Sequence, residues 1–247
     1  MKFTKLNLTA AALAVSMAGF AAPQLAQAEV AYNIGVHSKY LLRGIGEENT
    51  GAAVQGGADY SHSSGFYAGW WFSSLSYTYE NPADNKTDKQ GFENDLYAGY
   101  AGKITDSIGY DVGLIQYFYV NVDDSDLTEA VVKFTFSDFY AKAQYLLNDG
   151  AWGNSGDIYW TAGWSHDVGG GINLALDYGY YSYDDNDNAD LVGGPTTSTS
   201  GFRHFNITAS KEVMKDVSAY VQYVFAGEDR TGKENNDSMV TGITYSF

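Results

Sequence analysis

The sequence predicts an all-β chain: a single antiparallel transmembrane β-barrel of about twelve strands, with short turns at one end and long acidic loops at the other. Three observations carry that expectation. The composition is rich in aromatic residues and glycine, apolar and polar residues alternate with period 2, and the connections alternate between long and short.

Residues 1–28 stand apart from the rest. Lys2 and Lys5 precede an alanine-rich apolar stretch that closes on Ala26-Gln27-Ala28. That is the pattern of a secretory signal peptide cleaved before Glu29. A membrane helix fits less well, because the apolar run is short. Residues 29–247 then form one domain, the barrel.

The 247-residue chain has 30 acidic and 14 basic residues, a formal net charge of −16. Lys2 and Lys5 leave with the leader, so the mature chain is more acidic still. It would repel nucleic-acid phosphates, which excludes that partner. There is no cysteine, hence no disulfide framework and no thiolate metal site. No later stretch approaches the roughly 18 consecutive apolar residues of a membrane helix. Yet 21 Tyr, 13 Phe, 5 Trp and 28 Gly stand against only 3 Pro. Aromatic residues suit pleated, half-buried surfaces, and glycine suits turns and close strand packing.

Twelve segments carry the alternation: 30–42, 51–62, 66–79, 91–102, 107–119, 127–136, 138–148, 156–166, 171–183, 201–212, 215–226 and 237–247. In "GINLALDYGYYSY", Ile172, Leu174, Leu176, Tyr178 and Tyr180 fall on one side, with Asn173, Ala175, Asp177 and Gly179 on the other. "DVSAYVQYVF" sets Val217, Ala219, Val221, Tyr223 and Phe225 against Ser218, Tyr220, Gln222 and Val224. Lengths of this kind suit membrane strands, which need roughly 9–11 residues. The connections near 43–50, 80–90, 120–126, 148–155, 184–200 and 227–236 are long and polar. Tight turns lie between them, near 62–65, 102–107, 137–139, 166–171 and 211–216. A barrel with both termini in the periplasm sorts its connections in this way.

The last strand, "SMVTGITYSF", places Met239, Thr241, Ile243, Tyr245 and Phe247 on one face. It must pair with the first strand, because unpaired edge amides in lipid cost several kcal/mol each. The barrel resemblance further implies that the assembly machinery reads this strand and its terminal aromatic residue, Phe247.

"YNIGVHSKYLLRGIG", then "AAVQGGADYSHSSGFYAGWW", "ENDLYAGYAG" and "IGYDVGLIQYFY", resemble the opening of the TorF-family porins of Proteobacteria. The most distinctive stretch is Ser38 to Gly44, in which Lys39 stands where an acidic residue is expected. The resemblance implies an outer-membrane barrel in a Gram-negative bacterium and, by name, a pore.

Strand-interior charges should point into the lumen, since Arg or Lys at the lipid midplane costs about 2–4 kcal/mol. The pore-lining candidates are Lys39, Arg43, Glu93, Asp95, Glu129, Lys133, Lys142 and Asp177, with Gln55, Asp59, Asn206 and Gln222 beside them. Asp111 joins them on a strand whose parity the pattern leaves open. Arg43 is expected near the outer end of the first strand, level with Glu93 and Asp95. These residues suit a constriction whose fixed charges select ions. They equally suit an internal ion-pair network that plugs a narrow barrel.

The acidic loop segments 122–126, 184–190 and 228–237 lack the full calcium-loop pattern, and are expected to be a solvated surface that draws cations collectively. No catalytic string surrounds His37, His62, His166 or His204, so no catalytic residue, cofactor or metal is assigned. The expected function is passive diffusion of small cationic or neutral solutes. The expected partners are outer-membrane lipid and lipopolysaccharide, the assembly machinery and the solutes themselves. The alternative is a closed barrel whose long outer loops bind a ligand or partner without conductance. Crowding of the lumen by Tyr97, Tyr140, Tyr159 and Tyr220 would favour that closed form.

Overall fold

The structure is a computed structural model that describes residues 28–46, 49, 51–77, 90–184, 191 and 194–247. The predicted leader, apart from Ala28, lies outside these residues.

The period-2 segments all become strands. They are β1 (Glu29–His37), β2 (Ala53–Ser61), β3 (Phe66–Ser74), β4 (Phe92–Lys103), β5 (Ile108–Val120) and β6 (Leu127–Phe136). β7 (Phe139–Leu146), β8 (Ile158–Gly169), β9 (Ile172–Ser182), β10 (Ser200–Met214), β11 (Val217–Ala226) and β12 (Ser238–Ser246) complete the set. Each pairs antiparallel with its sequence neighbours, and β1 pairs with β12 to close the barrel. The seam runs from Asn33 opposite Ser246 to His37 opposite Gly242. Beyond it, the backbones of Tyr32 and Phe247 exchange two hydrogen bonds of 2.9 Å. No strand edge is left open.

Alternation sorts the side chains. Val30, Tyr32, Ile34 and Val36 of β1 are exposed on the outer wall, as are Val112, Leu114, Phe118 and Val120 of β5. The opposite parity is buried and polar: Gln55, Glu93, Asp111, Glu129, Lys133, Gln144, Asp177 and Gln222. This is a globular protein inside out, as expected of a wall whose outer solvent is lipid. Among the described residues, no helix is long and apolar enough to cross a membrane, which says nothing against crossing by strands.

The tyrosine and glycine content has a common cause. Tyr97 lies over Gly69 on the neighbouring strand, Tyr140 over Gly163 and Tyr220 over Gly242. Each inward ring occupies the space that a neighbouring side chain would need, so glycine and tyrosine pair across strands. Turns at one end are tight. The β8–β9 turn runs through Gly169, Gly170 and Gly171, all at positive φ, where glycine bears no steric penalty.

One expectation is corrected. The first strand was expected to continue to residue 42, but β1 ends at His37. The chain then turns inward as a short hairpin, the strap, in which Leu42 and Ile45 exchange backbone hydrogen bonds of 2.8 and 3.0 Å. Its tip is Arg43 at φ 52° and Gly44 at φ 81°. Positive φ at both central residues is the signature of a tight primed turn. Tyr40 packs with Ala53, Leu75 and Val122, and Leu41 packs against Tyr220, Val224 and Val240. Two apolar anchors thus hold the strap inside the barrel.

Candidate functional site

The strap points Arg43 across the lumen. Its Nη2 donates to both carboxylate oxygens of Glu129 on β6, at 2.7 and 2.6 Å. Its Nη1 donates to the Tyr181 hydroxyl on β9 at 2.5 Å. The guanidinium carbon lies 4.4 Å from the centre of the Tyr159 ring on β8. One side chain from the β1–β2 connection therefore bridges to three strands of the far wall. Such a planar fork suits bidentate pairing with a carboxylate.

Glu129 is held from other sides as well. Tyr117 donates to it at 2.8 Å and Gln144 at 2.7 Å. The strap is held from behind by Arg203, whose Nε donates to the Arg43 carbonyl at 3.0 Å. This places Arg43 differently from the sequence expectation: it stands in the strap rather than in the strand wall, and its salt-bridge partner is Glu129 on β6.

The other candidates are distributed as follows. Glu93 and Asp95 on β4 are buried, and the Tyr119 hydroxyl donates to Glu93 at 3.0 Å. One Asp95 carboxylate oxygen is buried without a partner. Lys133 and Lys142 are buried next to each other across the β6–β7 pair, and the Lys133 ammonium lies 4.8 Å from the centre of the Tyr140 ring. Tyr140 donates to Asp177, Tyr97 to Asp59, and Tyr67 to Asp111 at 2.6 Å. Lys39 stands beyond the end of β1, half-buried, and takes no part in the described hydrogen bonds of this network.

The interior histidines are joined to tyrosines. His37 Nδ1 is 2.9 Å from the Tyr220 hydroxyl, and His204 Nε2 is 2.5 Å from that of Tyr159. At the turn end, His62 bonds Ser64 two residues along, and His166 pairs with Asp138 at 2.9 Å. None of the four joins a serine and a carboxylate in one described array. The acidic segment around Asp229 is organised by its own turn: the backbone N–H groups of Thr231 and Lys233 donate to Asp229. No group of three or more acidic or histidine ligands forms a metal cage among the described residues. The acidic segment 185–190 lies outside them.

Together the strap and the inward tyrosines divide the interior. Toward the loop end is a cavity of about 240 Å³, lined among others by Arg43, Tyr117, Trp152, Tyr181, Tyr183, Arg230 and the exposed Lys233. Below it lie voids of about 40 and 20 Å³. These are large enough for a few waters and no more. Sequence reasoning did not find Trp152, Tyr183, Arg203 or Arg230. An isolated tryptophan within an otherwise polar connection was the available signal.

Comparison with known proteins adds the family. The profile of Gcw_chp, described as a bacterial protein of unknown function, matches residues 21–163. The chain belongs to the Gcw_chp family. That profile bears no TorF name, so the TorF resemblance stands on the motifs alone. No curated protein matches this Gcw_chp chain. Solved structures share its fold, three of them as follows. The KdgM porin aligns with a TM-score of 0.57 at 9% identity, over 88% of this chain and 99% of its own. The NanC porin gives 0.54 at 11% identity, over 88% and 99%. An outer membrane channel from Pseudomonas putida gives 0.55 at 10% identity, over 94% and 99%. At such identities the likeness is one of fold, a closed twelve-strand porin-type barrel.

Proposed function

We propose that this Gcw_chp protein is an outer-membrane channel of a Gram-negative bacterium, through which small cationic or neutral solutes diffuse past the strap. Exported by its leader, the chain inserts its apolar wall into lipid facing lipopolysaccharide, after the assembly machinery has engaged the strand ending in Phe247. The observation that carries this reading is the inversion of polarity: a lipid-suited wall encloses a charged, hydrogen-bonded interior.

Asp59, Glu93, Asp95, Asp111, Glu129 and Asp177 outnumber Arg43, Lys133, Lys142 and Arg203 along the wall and strap, which favours cations. The Arg43–Glu129 bridge is the constriction, and passage requires the strap to move aside. Proteoliposome swelling tests this. Vesicles carrying the refolded barrel swell in small sugars and amino acids, and an Arg43→Ala variant swells faster. Equal rates with and without protein would refute it.

A second reading is supported by the four inward tyrosines. Tyr97, Tyr140, Tyr159 and Tyr220 crowd the lumen and are tied to Asp59, Asp177, His204 and His37. On that reading the barrel stays closed and the loop-end cavity binds a ligand without passing it on. Binding in the absence of swelling would select it.

A further inference from the structure

We propose that His204 is an acid-sensitive latch, whose protonated imidazole drives the strap off its seat and opens the lumen. This rests on the reading above of a lumen obstructed by the strap, and supplies the control of that obstruction.

The tip of the strap is seated on two consecutive residues of β10. Arg203 Nε donates to the Arg43 carbonyl at 3.0 Å. Gly44 lies so close over His204 that a Cβ on the glycine would stand 2.7 Å from the histidine Cβ. His204 also reaches the Arg43 side chain through one intermediary. Its Nε2 is 2.5 Å from the Tyr159 hydroxyl, and the Tyr159 ring centre lies 4.4 Å from the Arg43 guanidinium carbon. The buried imidazole therefore supports both the backbone and the charged group of the tip.

The charges packed around this seat are positive. Arg43, Lys142 and His204 line one void of about 40 Å³ beneath the strap, and among the described residues no carboxylate lines it. The charges that act on the imidazole are those of Arg203 on its own strand, Arg43 on the strap and Lys142 on β7. Tyr159 faces it from β8. Opposite it on the two flanking strands stand Gly179 of β9 and Ala226 of β11, neither of them charged. Glu129 is committed to Arg43, Tyr117 and Gln144.

A neutral imidazole fits such a seat. A protonated one adds a further positive charge where like charges are poorly screened. Arg203 and Lys142 belong to the wall, whereas Arg43 is carried on the strap. Lifting the strap takes Arg43 away and lets water reach the ring, so acid shifts the population toward the lifted state. The interior His37 lacks this arrangement. It meets the Tyr220 hydroxyl, with Ala53 and Gly242 opposite it on the flanking strands.

Single-channel recording of the refolded mature barrel at about pH 7.5 and about pH 4.5 tests the latch. The readout is the frequency of open steps rather than their size, because carboxylates of the lumen also titrate. The wild type is expected to open roughly threefold to tenfold more often in acid. His204→Gln stays polar and takes up no proton, so it should keep the wild-type frequency at neutral pH and lose the rise. His37→Gln and Glu129→Gln should retain the rise, the latter from a higher starting frequency. Heat-modifiability on gels confirms that the variants are folded. The latch is refuted if the wild type shows no rise, or if His204→Gln shows the same rise or is already open at neutral pH. Loss of the rise in His37→Gln or Glu129→Gln refutes it as well.

Amide hydrogen exchange of the strap, residues 38–46, separates the latch from the channel. At acid pH the wild type should exchange faster there than His204→Gln. Faster exchange in a barrel that never conducts removes the channel and leaves the latch. Conductance with equal exchange in the two chains does the reverse.

Discussion

Arg43 and Glu129 lie 86 positions apart in sequence, yet their side chains meet at 2.6 Å across the lumen. The guanidinium comes from a strap anchored beside β1 and the carboxylate from the far wall, so the pair spans the barrel interior. Arg43→Ala leaves a buried carboxylate without its countercharge, which typically costs about 3–5 kcal/mol. Urea unfolding should register that loss. Adding Glu129→Met to the same chain should restore most of it, because both charges are then gone.

Gly242 tests the pairing of glycine with interior rings. A Cβ there would run into His37 Nδ1 and the Tyr220 ring. Gly242→Val should therefore destabilise the barrel by about 1–3 kcal/mol through overpacking, read as a lower urea midpoint. An unchanged midpoint would mean that His37 and Tyr220 are free to retreat.

Leu114 tests the lipid-facing wall. It is 54% exposed on the outer side of β5. Leu114→Arg should cost about 2–4 kcal/mol when the barrel folds into lipid vesicles. A negligible penalty in vesicles would argue that this wall does not face hydrocarbon.

Phe247 stacks on Tyr32 with centres 5.7 Å apart and on Tyr245 at 5.2 Å. Phe247→Ala should lower the amount of barrel recovered in the outer-membrane fraction of expressing cells. Backbone pairing to Tyr32 survives this change, so a drop in membrane level with normal refolding in vitro points to recognition during assembly. Equal levels in cells would end that role.

Much of this architecture is written in local patterns. Apolar–polar alternation in segments such as Ile172–Ser182 locates the strands and assigns their faces, because side-chain period and pleat are the same property. The strap escaped that logic. Ser38, Tyr40 and Leu42 continue the alternation of β1, but Arg43-Gly44 is a tight-turn dipeptide that takes the chain off the wall. The partner of Arg43 was out of reach for another reason. Period 2 says that Glu93, Asp95 and Glu129 all point inward, but which one meets the strap depends on where β4 and β6 stand around the closed wall. Trp152 and Arg230 lie outside the strands, where no periodicity marks a side chain as buried.

The most direct test of the central claim, a channel obstructed by the strap, is single-channel recording of the refolded mature barrel under a salt gradient. Wild type and Arg43→Ala should be measured side by side. The expected result is infrequent, small, cation-selective steps for the wild type, and larger or more frequent steps for the variant. Folded barrels of both chains that insert into the bilayer and never conduct would contradict it.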